Sequence, residues 1–119
     1  MKKPSLYNYR ANVVSVYDGD TCTVDIDLGL GVWVRGEKIR LYRINAPEIR
    51  GKEREKGLLS RDYLRKLIGG KSILLQTIKD KKGKYGRYLG EIWVEDEKGK
   101  WMNVNDEMVK RGMATYKEY

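Results

Sequence analysis

The chain has no histidine, no phenylalanine, a single cysteine and only two prolines among its 119 residues. Without imidazoles, any metal binding or proton transfer falls to carboxylates and amide oxygens. One cysteine excludes an intramolecular disulfide and a cysteine-based zinc site. Cys22 lies in a strand-like run and reads as a small core residue, not a nucleophile. Without Phe, the core must come from aliphatic residues with three Trp and nine Tyr. No apolar run is long enough to span a membrane, and no apolar signal segment follows Met1-Lys2-Lys3-Pro4. The expectation is a cytoplasmic chain with no membrane partner, a leader removed earlier being invisible here. No internal repeat, linker or low-complexity tract stands out.

What is present is charge. Twenty-five Lys and Arg against seventeen Asp and Glu leave a net charge of +8. That balance favours a polyanionic partner such as nucleic acid, with an ordinary basic surface equally open on charge alone. The length suits one domain, 1–119, read as a monomer.

The first half reads as β. Residues 11–17 are Val-rich. From Thr21 to Leu28 the chain alternates, with Cys22, Val24, Ile26 and Leu28 on one face. Leu28-Gly29-Leu30-Gly31 supplies a hairpin, and residues 32–44 return as a long strand interrupted near Arg35-Gly36-Glu37 by a turn or bulge. Residues 53–68 read as a helix with Leu59, Tyr63 and Leu67 in line and Leu64 and Ile68 beside them, stopped by Gly69-Gly70. Strands follow over 72–78 and 88–95, separated by a polar, basic loop over 79–84. Residues 96–100 form a turn. Asn103 or Asn105 caps a short helix running to Arg111. The fold class is α+β, mainly β: a five-stranded OB-fold barrel with a helix between strands 3 and 4 and a short C-terminal helix.

Three stretches carry the chemistry: Asp18-Gly19-Asp20-Thr21, Arg40 through Asn45-Ala46-Pro47-Glu48, and Lys84-Tyr85-Gly86-Arg87. Asp20 shares the parity of Cys22, Val24 and Ile26, so a continuous strand points it inward. A buried carboxylate is costly unless a cation or hydrogen bonds meet it. An Asp-Gly turn whose carboxylates bond the turn backbone is the simpler alternative. Asn45, the Ala46 carbonyl and Glu48 offer the mixed oxygen set that calcium accepts, or else a strand-ending turn with a solvated glutamate. Arg40 and Arg87 have the planar fork that suits phosphate. Lys79, Lys81, Lys82 and Lys84 flank Arg87 as a solvated run or a phosphate-backbone track. Tyr85, Tyr116 and Tyr119 are available to stack on bases.

These motifs, with Val104-Asn105 and the helix ending at Gly112, resemble the staphylococcal nuclease (thermonuclease) family over roughly residues 9–116. The resemblance implies an OB-fold, Ca2+-dependent endonuclease cutting DNA and RNA to 3′-phosphate and 5′-hydroxyl ends. It assigns Asp20, Asn45 and Ala46 to the metal and Glu48 to the attacking water. It assigns Arg40 and Arg87 to the scissile phosphate, and Lys84 and Tyr85 to a neighbouring one. Two departures stand out. Asn45 replaces the family's usual aspartate, implying weaker metal binding, and the spacing from Gly112 to Tyr116 and Tyr119 differs. A catalytically silent OB module that binds nucleic acid or protein is the competing expectation.

Overall fold

A computed structural model describes residues 6–82 and 85–118, with only the backbone of residues 79–81. Strands β1 (Asn8–Asp18), β2 (Thr21–Gly29) and β3 (Val32–Leu41) form an antiparallel meander. Helix α1 (Arg54–Ile68) follows, led in by a 3-10 turn at Gly51–Glu53. Then come β5 (Ser72–Lys82) and β6 (Tyr88–Glu95), after the two-residue strand β4 (Ile44–Asn45) that precedes α1. The parallel pairing of β3 with β6, Ile39 opposite Tyr88 and Leu41 opposite Gly90, closes the barrel β1-β2-β3-β6-β5. Short β7 (Trp101–Asn103), helix α2 (Val104–Lys110) and β8 (Thr115–Tyr116) complete it.

The period-two pattern on β2 is realised: Cys22, Val24 and Ile26 are buried against Ala11, Val13 and Val16 of β1. Leu28 departs from it and is exposed, because the end of the β2–β3 hairpin runs past the core. The bulge near Gly36 is present. Gly36 adopts φ +70°, and Asp25 accepts from its amide and from Arg35. Gly57, Ser60, Leu64 and Ile68 form the buried face of α1, so Leu59, expected inside, is 62% exposed. Burying Leu64 and Ile68 contributes about 1.5–3 kcal/mol each.

Two differences bear on the site. The strand expected over 32–44 breaks after Leu41. Arg43 adopts φ +68°, and its guanidinium is held by Glu91 (2.5 and 2.8 Å) and Asp106 (3.1 Å), which turns the chain into β4. Strand β4 then pairs with β8, an element too short to leave a pattern in sequence. The basic stretch expected as a loop is instead strand as far as Lys82, which pairs with Tyr88 across a register shift. Asn103 caps α2 by accepting from the Asp106 amide, and Asn105 is a buried tie. It accepts from the Ile92 amide and donates to the Tyr42 and Gly90 carbonyls, fixing α2 to β6 and to the approach to β4.

Candidate active site

Asp20 sits in the turn between β1 and β2 and is 6% exposed. Its carboxylate meets partners from both neighbouring segments. Oδ2 accepts the Ala46 amide at 2.7 Å and lies 3.3 Å from Arg40 Nη2, and Oδ1 accepts the Thr21 hydroxyl at 3.2 Å. The inward parity read from the strand is therefore met, and the carboxylate stitches the Asp18–Thr21 turn to the Asn45–Glu48 loop. Hydrogen bonding within the turn, where the Asp20 amide donates to Asp18 Oδ1 at 3.0 Å, occurs together with a cationic partner from the protein itself, the Arg40 guanidinium.

Arg40 is 8% exposed and engaged inside the protein. Nη1 donates to the Leu41 and Ile44 carbonyls at 2.9 and 3.0 Å, and Nη2 donates to Asn45 Oδ1 at 3.3 Å. It thus holds Asp20, Asn45 and β4 in one arrangement. Arg87 is the opposite case. It is partly exposed on a groove, stacks on Tyr85 at 5.1 Å, and reaches Asp20 through the Thr21 hydroxyl at 3.5 Å.

Glu48 is exposed and lines a cavity of about 200 Å³ with Tyr17, Asp18, Ile49 and Arg50. Two glycines let the segments meet. A Cβ on Gly19 would come within 2.7 and 2.8 Å of the Cβ atoms of Ser60 and Ala46. A Cβ on Gly57 would lie 2.0 Å from the Glu48 carbonyl oxygen. Glycine in a helix interior costs about 0.5–1 kcal/mol relative to alanine. At Gly57, in the first turn of α1, it lets the Glu48 backbone rest directly on the helix.

Asp18 is a further member of the cluster. Burial first, then the adjacent Asp20 charge, pushes its carboxyl up to about 6. Among the described residues, no three His, Cys, Asp or Glu side chains gather as a ready-made metal cage. The donors nevertheless suit a hard cation in kind. They are carboxylate, amide and carbonyl oxygens, of the sort that hold an ion through one or two carboxylates and leave remaining positions to water and substrate.

Other expected contacts lie elsewhere. Lys82 sits 3.5 Å from Glu37 and over the Tyr88 ring. Tyr116 donates to Asp106 and packs by Arg43 in a separate cavity with Tyr42, although β8 sets Thr115 opposite Asn45. Lys84 and Tyr119 fall outside the described residues, as do the side chains of Lys79 and Lys81.

Residues 38–119 match the family described as Staphylococcal nuclease homologue. The chain is 34% identical over 115 residues to Protein ParB of Escherichia coli, covering 93% of this chain and 59% of that protein. It is 35% identical over 108 residues to an Uncharacterized endonuclease of Haemophilus influenzae, covering 90% and 52%. It is 28% identical over 110 residues to Thermonuclease of Staphylococcus intermedius, covering 90% and 59%. The chain thus spans a little over half the length of these relatives.

Proposed function

The chain belongs to the staphylococcal nuclease homologue family, and starting from that membership we propose that it is a calcium-dependent endonuclease. Its substrates are DNA and RNA, cut with low sequence preference to 3′-phosphate and 5′-hydroxyl ends. The observation that carries this reading is convergence. Asp20 joins the Ala46 amide, Arg40 and, through Thr21, Arg87, beside a cavity that holds Glu48.

Asp20, Asn45 and the Ala46 carbonyl are the residues that would hold the ion. Once bound, it would supply positive charge to the phosphoryl oxygens and acidify a bound water. The protein's own residues do the rest. Glu48, exposed and at the cavity wall, takes the proton of the attacking water. Arg87 presents its guanidinium to the phosphate from the groove side. Arg40 keeps Asp20 and Asn45 in register, and reaching phosphate itself requires exchange of one of its internal partners. Tyr85, beside Arg87, would contact a neighbouring nucleotide.

Two observations favour the second reading, a silent binding module: an amide at position 45, and Asp20 oxygens already hydrogen-bonded. Incubation with plasmid and single-stranded DNA, in calcium or chelator, separates the readings. Calcium-dependent degradation absent from Asp20→Ala supports the enzyme. No cleavage above that control over a wide calcium range leaves the binding module.

A further inference from the structure

A groove of about 1090 Å³ lies beside the Glu48 cavity, and the two share Tyr17, Ile49 and Arg50. Its floor comes from β1 and β2, one wall from Lys38 of β3 with Arg87, and another from Arg61 and Arg65 of α1. Segments far apart in sequence thus set five cations (Lys38, Arg50, Arg61, Arg65 and Arg87) around one groove. Among the described residues no carboxylate lines it. One carboxylate outside it, Asp62, serves both helix arginines, at 3.1 Å from Arg61 and 3.9 Å from Arg65. Arg65 also donates to the Val16 carbonyl at 3.2 Å, which holds it over the floor. Gathering like charges is unfavourable unless an anion joins them.

We infer that this groove is a binding track for single-stranded nucleic acid, with the α1 arginines gripping phosphates at a distance from the Asp20 cluster. Three features select that ligand. Guanidinium forks bind phosphate oxygens in pairs. Tyr17, 52% exposed, lines the groove as a ring that unpaired bases can stack on, and the Arg87–Tyr85 pair lies on the same groove. The track is continuous with the cavity of Glu48, so a strand lying in it passes the open side of the site. Where the strand is cut rests on the nuclease reading; binding along α1 does not.

The test measures binding in chelator, where no cleavage is expected, by fluorescence anisotropy of labelled oligothymidylates of about 4–16 nucleotides, the span of OB-fold sites. Wild-type affinity should rise with length. Arg61→Gln with Arg65→Gln should weaken binding of the longest strand by about tenfold and reduce the salt slope by about 1.4, two phosphate contacts at about 0.7 each. Lys66→Gln with Lys110→Gln removes equal charge from exposed positions that do not line the groove, and should change affinity by less than about twofold. If loss of the Val16 contact unfolds the Arg65 variant, Arg61→Gln with Lys38→Gln carries the same expectation. Equal weakening by groove and control pairs, or none by either, overturns the inference. So does displacement of the strand by polyglutamate at matched charge, which would make the groove an acidic-polypeptide surface. Length-dependent binding without calcium-dependent cleavage keeps the track and removes the nuclease reading. Cleavage with binding indifferent to the groove pair does the reverse.

Discussion

The candidate site has two unlike halves. Asp20 and Arg40 are buried, and their polar atoms are spent on one another, on Ala46, Asn45 and Thr21, and on backbone carbonyls. Glu48 is exposed and Arg87 partly so, and both border open cavities. The first half is an architectural joint and, in the proposed function, would also hold the cation. The second half is free to meet substrate. Loss of function therefore means different things on the two sides. In the buried half, activity and folding should fall together. In the open half they separate.

The sharpest break of that comparison is Arg40→Ala. Removing one partner of a buried ion pair typically costs about 3–5 kcal/mol, because the other charge is left without compensation. Urea unfolding should show a loss of that size, with activity lost as well. A stability within about 1 kcal/mol of wild type would show that Arg40 is not the joint its contacts describe. In the open half, Arg87→Ala should lower turnover by about a hundredfold, the scale of one transition-state donor, while stability moves by no more than about 0.5 kcal/mol. Glu48→Gln should be comparably severe for turnover and leave binding to oligonucleotides intact. Wild-type cleavage by the Glu48 variant would remove that residue from the mechanism.

A smaller effect is expected at Asp18, measured in chelator. Its folded carboxyl titrates at about 6 and its unfolded one at the ordinary 3.8, so the fold binds the proton more tightly than the unfolded chain does. The stabilisation is complete below the ordinary value and is lost as pH rises through about 6. Asp18→Asn should flatten that decline in thermal melts across the interval, and an unchanged profile would place the proton elsewhere. The smallest effect belongs to Asn45. Asn45→Asp restores a charge beside Asp20 and should lower the calcium needed for half-maximal cleavage without raising the maximal rate, since affinity follows ligand charge. Calorimetric titration checks it. Unchanged or weaker calcium binding would take Asn45 out of the ion's coordination.

The legible parts were those governed by neighbours in the chain. Alternation on β2 put Cys22, Val24 and Ile26 inside, and Asp20 with them. The hairpin glycines, the Gly36 bulge, the α1 span and the α2 cap followed from local backbone rules. Leu59 failed because apolar spacing gives a helix a stripe but not the direction of the core, and Ser60 and Gly57 took the buried face instead. Strand β4 failed because Arg43 turns the chain at φ +68° through contacts with Glu91 and Asp106, far along the sequence.

By itself the sequence determined the residue types of the site, their grouping into three motifs, the order of strands and helices along the chain and the excess of positive charge. These depend on composition and on short-range periodicity, which survive without knowing what packs where. Only the tertiary structure decided which arginine is sealed and which is open, since Arg40 and Arg87 carry the same group and differ in what folds over them. It also decided that Arg61 and Arg65, two among many basic residues on an apparently ordinary helix, face β1 and β2 across a groove. A charge's work is set by its dielectric surroundings and its partners, and both are supplied by segments distant in the chain.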